Sequence, residues 1–313
     1  MTIQQLLKTA PVTALLLTSF IGLYIVQFLT GVDPNNPSTE ALLHWGANAL
    51  PYTMGDEPWR LVSSGFLHIG LMHLLFNGFA MYFFGQVAEP MFGSAKFLAL
   101  FLLAVIGGNL LNSYITWQSI LDGTGQPGLS AGASGGIMGI GAALLIAALF
   151  KISVNGMVLN LKSLIFIMGI NLVYGFAVPG IDNAGHIGGA ITGLIIALGF
   201  AIAYRQRLQA KPQDFAIYHN YSTNSHSTNN EVYSNGQNDI PVNSAIDEAM
   251  VTSVNDTDDA YVDAFYPEPK KAKKPTIFWQ LLPWIVILLI AAGFVWWWQD
   301  IHNQILQVLS AVE

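Results

Sequence analysis

Seven predominantly apolar stretches decide what this chain can fold into: Val12–Leu29, Leu67–Val87, Lys96–Trp117, Ser134–Phe150, Leu161–Val178, Asn183–Tyr204 and Ile277–Trp298. A helix of about 20 apolar residues crosses about 30 Å of hydrocarbon, and each stretch approaches or meets that length. Only 10% of the 313 residues are charged and 53% are hydrophobic, against roughly a quarter charged in globular chains. That leaves too few charges for a water-facing surface. The chain reads as an all-α polytopic membrane protein. No strongly basic segment precedes the first stretch and no small-x-small cleavage site follows it, so it is read as a retained helix.

Cysteine is absent, which excludes disulfides, thiolate nucleophiles and cysteine metal sites. The formal net charge of −7 sits largely between the spans, so no nucleic-acid partner is expected. Lys8, Lys96, Lys151, Lys162, Arg205, Arg207, Lys211 and the cluster Lys270, Lys271, Lys273, Lys274 flank alternate sides of the spans. The excess of Lys and Arg on one side places the N-terminus in the cytoplasm. Asp33, Glu40, Asp56, Glu57, Asp122, Asp182 and Asp300 then fall outside, with Arg60 as the exception, and the C-terminus ends outside. Three segments follow: a six-span core at 1–208, a linker at 209–276 and a seventh span with a short outer tail at 277–313. The linker is rich in Asn, Ser, Thr and Asp, a composition that cannot bury enough apolar surface to order itself, so a disordered cytoplasmic segment is expected. Trp279 and Trp284 at one end of the seventh span, and Trp296, Trp297 and Trp298 at the other, mark interfacial belts. Between the first two spans, Ser38 opens a capped amphipathic helix in a loop expected to be structured and interfacial.

Chemistry concentrates at Ser134, in Gly132-Ala133-Ser134-Gly135-Gly136 at the head of the fourth span. From Ser134 to Phe150 is 17 residues, or roughly 25 Å at 1.5 Å per residue. If Lys151 marks the inner surface, Ser134 lies several Å below the outer one. The preceding Asp122–Ser130 segment is unsuited to helix and must dip inward, and irregular backbone at membrane depth has to line protein or water. A water-accessible pocket over Ser134 is expected. The helix N-terminus also points free N–H groups and positive dipole to where an oxyanion would form.

His186 lies one turn into the sixth span from the same face, and His73 and Asn77, four apart on the second span, share a helical face. Polar side chains in spans are costly and default to functional or interhelical roles. Small residues four apart allow the fourth and sixth spans to approach: Gly135 and Gly139 on one, Gly185, Gly189 and Gly193 on the other. Gly132-x-Ser134-x-Gly136 also matches the nucleophile elbow of soluble hydrolases, but that elbow needs a preceding strand, and none is expected here. His68 and His73, five apart, stand about 140° around a helix and do not form the four-residue pair of a zinc helix. No metal and no cofactor are expected. Asp182 sits at a helix start, as a cap does.

Together these residues resemble the rhomboid family of intramembrane serine proteases over roughly Val12 to Tyr204. The motifs are Trp59-Arg60, His68-Ile69-Gly70-Leu71-Met72-His73 with Asn77, Gly132-Ala133-Ser134-Gly135, and Ala184-Gly185-His186-Ile187-Gly188-Gly189. Glu89 and Gly93 match as well. The resemblance implies a six-helix rhomboid bundle with an added seventh C-terminal helix. It further implies a dyad of Ser134 as nucleophile and His186 as general base, with His73 and Asn77 stabilising the oxyanion. His68 is given a structural or water-retaining role, and Gly132, Gly135 and Gly189 support the site. Met138 departs from the family, which usually places an aromatic residue there, one turn below the serine, against the catalytic imidazole. The implied partners are single-span or other transmembrane protein substrates and membrane lipid, in an inner or plasma membrane of bacterial type. Two other classes remain: an inactive rhomboid-like protein that binds transmembrane helices, and a small-solute channel, whose flux would survive Ser134→Ala.

Overall fold

The computed structural model describes residues 2–126, 128–152, 159–177, 181–209 and 276–312. In chain order these form α1 (Ile3–Thr9), α2 (Pro11–Leu29), α3 (Thr39–His44), β1 (Asn48–Ala49), α4 (Leu50–Thr53), α5 (Arg60–Ser63), a 3₁₀ turn at Ser64–Phe66, α6 (Leu71–Phe92), α7 (Ser94–Leu121), β2 (Leu129–Ser130), α8 (Ser134–Leu149), α9 (Leu161–Ala177), α10 (Asn183–Gln209) and α11 (Ile277–Val312). Apart from its two end residues, the expected linker lies outside the described residues.

Among the described residues, α2, α6, α7, α10 and α11 are long and apolar enough to cross a membrane, while α8 and α9 are apolar but shorter. Phe76, Phe79 and Phe83 on α6 and Leu288, Leu289 and Trp296 on α11 are well exposed. So much exposed apolar surface is suited to lipid. The chain is an integral multi-pass membrane protein. The second span starts later than the sequence suggested, at Leu71 rather than Leu67, because Gly70 turns the backbone at φ +97°. His68 is therefore on the approach to α6 and off the helix.

α8 is the central helix. Every residue from Gly136 to Leu144 is buried, so that stretch has no lipid-facing side and no amphipathic period, while Leu149 near the end of the helix is exposed. α7 packs along it through Phe97, Leu100, Phe101 and Ala104, all with 0% exposure.

The opposite end of the bundle from Ser134 is held by a buried carboxylate. α2 begins at Pro11 with no side-chain cap of its own, and its free N–H groups need acceptors. Glu89 of α6 supplies them: Oε1 accepts from Val12 N at 2.9 Å, and Oε2 accepts from Thr13 N and Thr13 Oγ1, both at 2.7 Å. Ser94 Oγ donates to Oε1 at 2.6 Å. With four donors and a helix N-terminus facing it, a carboxylate of 1% exposure is compensated. Glu89→Ala strands those donors and is expected to cost about 3–5 kcal/mol. Reversible unfolding in detergent measures this, and a loss below about 1 kcal/mol would mean that packing alone holds α2.

The loop between α2 and α6 is structured, as expected. Ser38 Oγ accepts from Ala41 N at 3.1 Å and opens α3. Asp33 Oδ1 accepts from Asn35 N and Asn36 N, which holds its carboxyl below the usual range. Buried Arg60 ties the rest together: Nε donates to Glu57 Oε2 at 2.6 Å, and Nη1 donates to the carbonyls of Leu43 and Ala47 at 2.7 and 3.1 Å. Its guanidinium also lies over the rings of Tyr52 and Trp59. β1 pairs antiparallel with β2, Asn48 facing Ser130 and Ala49 facing Leu129. A strand thus does precede Ser134, contrary to the sequence expectation. It has two residues and an antiparallel partner, unlike the parallel sheet beneath a hydrolase elbow.

Candidate active site

Ser134 is the first residue of α8, and no side chain caps that helix. Its leading N–H groups are therefore left free of a side-chain acceptor. The backbone just before it is fixed from the first loop, since Gly132 N donates to Ser64 O at 2.9 Å. Ser64 is in turn held by α7, where Asn109 Nδ2 donates to Ser64 Oγ at 2.8 Å and to Leu61 O at 2.9 Å.

Gly132 has φ +141°, and a Cβ there would meet His73 Cε1 at 2.7 Å and Nε2 at 2.9 Å, with Ser134 Oγ 3.8 Å away. Both the backbone conformation and the space require glycine. Hydroxyl and imidazole thus share one small volume. His73 Nδ1 accepts from Ile69 N at 3.3 Å. A neutral imidazole that accepts at Nδ1 carries its proton on Nε2, the atom facing Gly132 and Ser134. Asn77 is buried on the same face of α6; its Nδ2 donates to His73 O at 3.0 Å and keeps a second hydrogen free of that bond. His68, 2% exposed, stands edge-on to His73 with ring centroids 5.3 Å apart and leans on Phe20 at 5.2 Å.

α10 brings His186 to this group. The ring lies within electrostatic reach of His73, and among the described residues its buried Nδ1 has no hydrogen-bond partner. An unpaired buried ring nitrogen is rare and marks a candidate site.

The approach of α10 rests on glycine backbones in direct contact. A Cβ on Gly189 would strike Gly135 O, one on Gly193 would strike Gly139 O, and one on Gly139 would meet Gly189 O at 2.9 Å. The four-residue spacing in the sequence pointed to this seam. A second seam was not anticipated: Gly107 and Gly108 of α7 take the other side of α10, where a Cβ on Gly108 would meet Gly185 O at 2.5 Å and one on Gly188 would meet Gly107 O at 2.6 Å. The adjacent glycines in the third span were its sequence signal. Met138 is buried one turn below Ser134 and packs in the main apolar core.

Asp182 caps α10, its Oδ1 accepting from Gly185 N at 2.7 Å. It does more than the sequence suggested. Asn112 Nδ2 of α7 donates to Oδ1 at 2.9 Å, and Ser130 Oγ of β2 donates to Oδ2 at 2.6 Å. The carboxylate joins the start of α10 to the strand that leads into Ser134. Ser130 and Asn112 went unnoticed in the sequence; a polar Asn inside an apolar span was the available sign of the latter. Among the described residues no three His, Cys, Asp or Glu side chains gather in a way that would hold a metal ion.

The family model described as Rhomboid domain matches residues 55–203. Rhomboid protease GluP of Bacillus subtilis (strain 168) is 37% identical over 184 residues, 58% of this chain and 34% of that protein. RHOMBOID-like protein 4 of Arabidopsis thaliana is 32% identical over 55% of this chain and 43% of its own length. Rhomboid protease AarA of Providencia stuartii is 31% identical over 206 residues, 61% of this chain and 72% of that protein. The match thus spans about a third of the Bacillus protein and under half of the Arabidopsis one.

Proposed function

This chain belongs to the rhomboid family, and from that premise we propose that it is an intramembrane serine protease that hydrolyses peptide bonds in or beside transmembrane segments of membrane proteins. The observation that carries the reading is the convergence of Ser134 Oγ and His73 Nε2 about Gly132, with His186 delivered by glycine-on-glycine contact. In the proposed reaction Ser134 Oγ attacks the scissile carbonyl while His186 accepts its proton. The oxyanion is met by the Ser134 N–H, His73 Nε2–H and the free hydrogen of Asn77 Nδ2. His186 then protonates the leaving amine, and water hydrolyses the acyl ester by the reverse roles. A transmembrane helix has its carbonyls paired, so substrates must unwind locally, which favours Gly, Ala or Pro near the cleaved bond.

The reading includes a six-helix core at 1–208 with a seventh helix at 277–313. It sets the N-terminus in the cytoplasm and Ser134 near the outer face of an inner or plasma membrane. The test is reconstitution with a labelled single-span substrate. Wild type should cleave it, and Ser134→Ala and His186→Ala should not. Equal cleavage by all three, or binding without cleavage across several substrates, sinks the protease reading.

Asp182 is excluded as a third catalytic member in this scheme. Asp182→Asn should keep most activity, because Oδ1 still accepts from Gly185 N and Asn112 while the Ser130 hydroxyl turns to accept from the new amide. Asp182→Ala removes cap and junction together, a cap alone being worth about 1 kcal/mol, and should lower cleavage about tenfold. An Asp182→Asn loss as deep as that of His186→Ala would make a triad of the site.

A further inference from the structure

Helix α11 takes no part in the proposed chemistry, yet its second half is tightly engaged. Leu288 and Leu289 are each 67% exposed, whereas Ile301, further along, is fully buried among Leu50, Met54, Leu61, Leu110 and Trp117. Two polar contacts accompany that burial. Trp298 Nε1 donates to Thr53 O at 2.8 Å, and His302 Nδ1 lies 2.5 Å from Met54 O, where only the nitrogen can donate. The two rings stack, centroids 5.1 Å apart and 12° from parallel. On the flank, Trp117 Nε1 of α7 donates to Gln304 Oε1 at 3.3 Å.

The carbonyls that receive these donors are the ones a four-residue helix leaves behind. α4 ends at Thr53 with Met54 as its C-cap, and terminal carbonyls have no partner within the helix. Leu50 O and Tyr52 O are already taken by the N–H groups of Met54, Gly55 and Glu57. α11 takes the next two. At its other end α4 is tied to β1, where Ala49 N donates to Thr53 Oγ1 at 3.1 Å. β1 pairs with β2, and Ser130 of β2 stands four residues before Ser134.

We infer that α11 is a positioning clamp for the proposed nucleophile: through Trp298 and His302 it fixes α4, and through the β1–β2 pair it fixes the backbone that presents Ser134. This rests on the serine-protease reading. The Gly132 N–H bond to Ser64 and the Ser130 bond to Asp182 hold this segment from other sides; α11 adds the hold through α4, and a misplacement of about 1 Å at a reacting atom can cost about a hundredfold in rate.

The test uses the full chain in proteoliposomes with three readouts: kcat and KM for a single-span substrate, the rate at which a fluorophosphonate labels Ser134, and the thermal midpoint. For Trp298→Phe combined with His302→Leu, kcat and the labelling rate should fall together by about tenfold, with KM changed by less than about twofold. His302→Asn, whose amide N–H stands near the Nδ1 position, should stay close to wild type where His302→Leu alone does not; this pair also serves if the double variant fails to fold. An unchanged labelling rate with a raised KM would place α11 in substrate docking and overturn the clamp. A lowered midpoint with both rates intact would overturn it too. If wild type neither cleaves nor labels, the protease reading fails and takes the clamp with it; if wild type does both and the variants match it, the clamp alone fails.

Discussion

Ser134→Ala and His186→Ala are each expected to lower turnover of a single-span substrate by about 10⁴-fold or more, and the double variant by no more than the worse single one. The reason is that in the proposed mechanism the two side chains form one device. Without the imidazole the hydroxyl keeps its proton, and without the hydroxyl the imidazole has nothing to deprotonate. What survives either loss is the ring of donors: His73 with its proton held on Nε2 by the Ile69 N–H, Asn77, and the uncapped start of α8. Single-turnover cleavage of a fluorogenic substrate in liposomes measures all three variants. Losses that multiply in the double variant would mean that serine and histidine act in separate steps.

Gly189→Ala is expected to lower kcat by about a hundredfold or more while the protein stays folded. The added methyl falls on Gly135 O, and a backbone carbonyl within a buried helix cannot swing aside as a side-chain tip can. α10 must therefore move off α8, and about 1 Å between the proposed nucleophile and base is enough for such a loss. The second seam, against Gly107 and Gly108, blocks compensation by a simple slide. Gly169→Ala on α9 and Gly22→Ala on α2 are the controls, since a Cβ at either position meets nothing within 4 Å. Comparable losses at Gly189 and Gly169 would show a general intolerance of helix glycines and remove the seam from the explanation.

How much of this was legible in the sequence depended on the range of the interaction. Apolar length is local, so the spans could be read, and four-residue glycine spacing is local, so the α8–α10 seam could be read as well. The cap at Asp182 and the Ser38 start of α3 follow from neighbouring residues and were equally visible. Contacts between distant segments were not. Nothing in Asn48-Ala49 or Leu129-Ser130 announces a strand, because each is two residues long and exists only against the other. The reach of Asp182 to Asn112 and Ser130 spans 70 and 52 positions, and that of Trp298 to Thr53 spans 245. The start of α6 was misplaced because Gly70 breaks an apolar run that hydropathy treats as continuous.

The burial of α8 on every side from Gly136 to Leu144 also bears on what sets the height of its first residue. Its 16 residues make about 24 Å of helix, less than a bilayer's hydrocarbon. A lipid-facing helix that short would tilt, thin the membrane around it or ride up and down with bilayer thickness. Along Gly136–Leu144 α8 touches neighbouring helices instead, so lipid has little purchase on it. On the proposed function the protein thus carries its own depth gauge: in a thicker bilayer a substrate helix would shift its register against Ser134, while Ser134 stays where its neighbours put it.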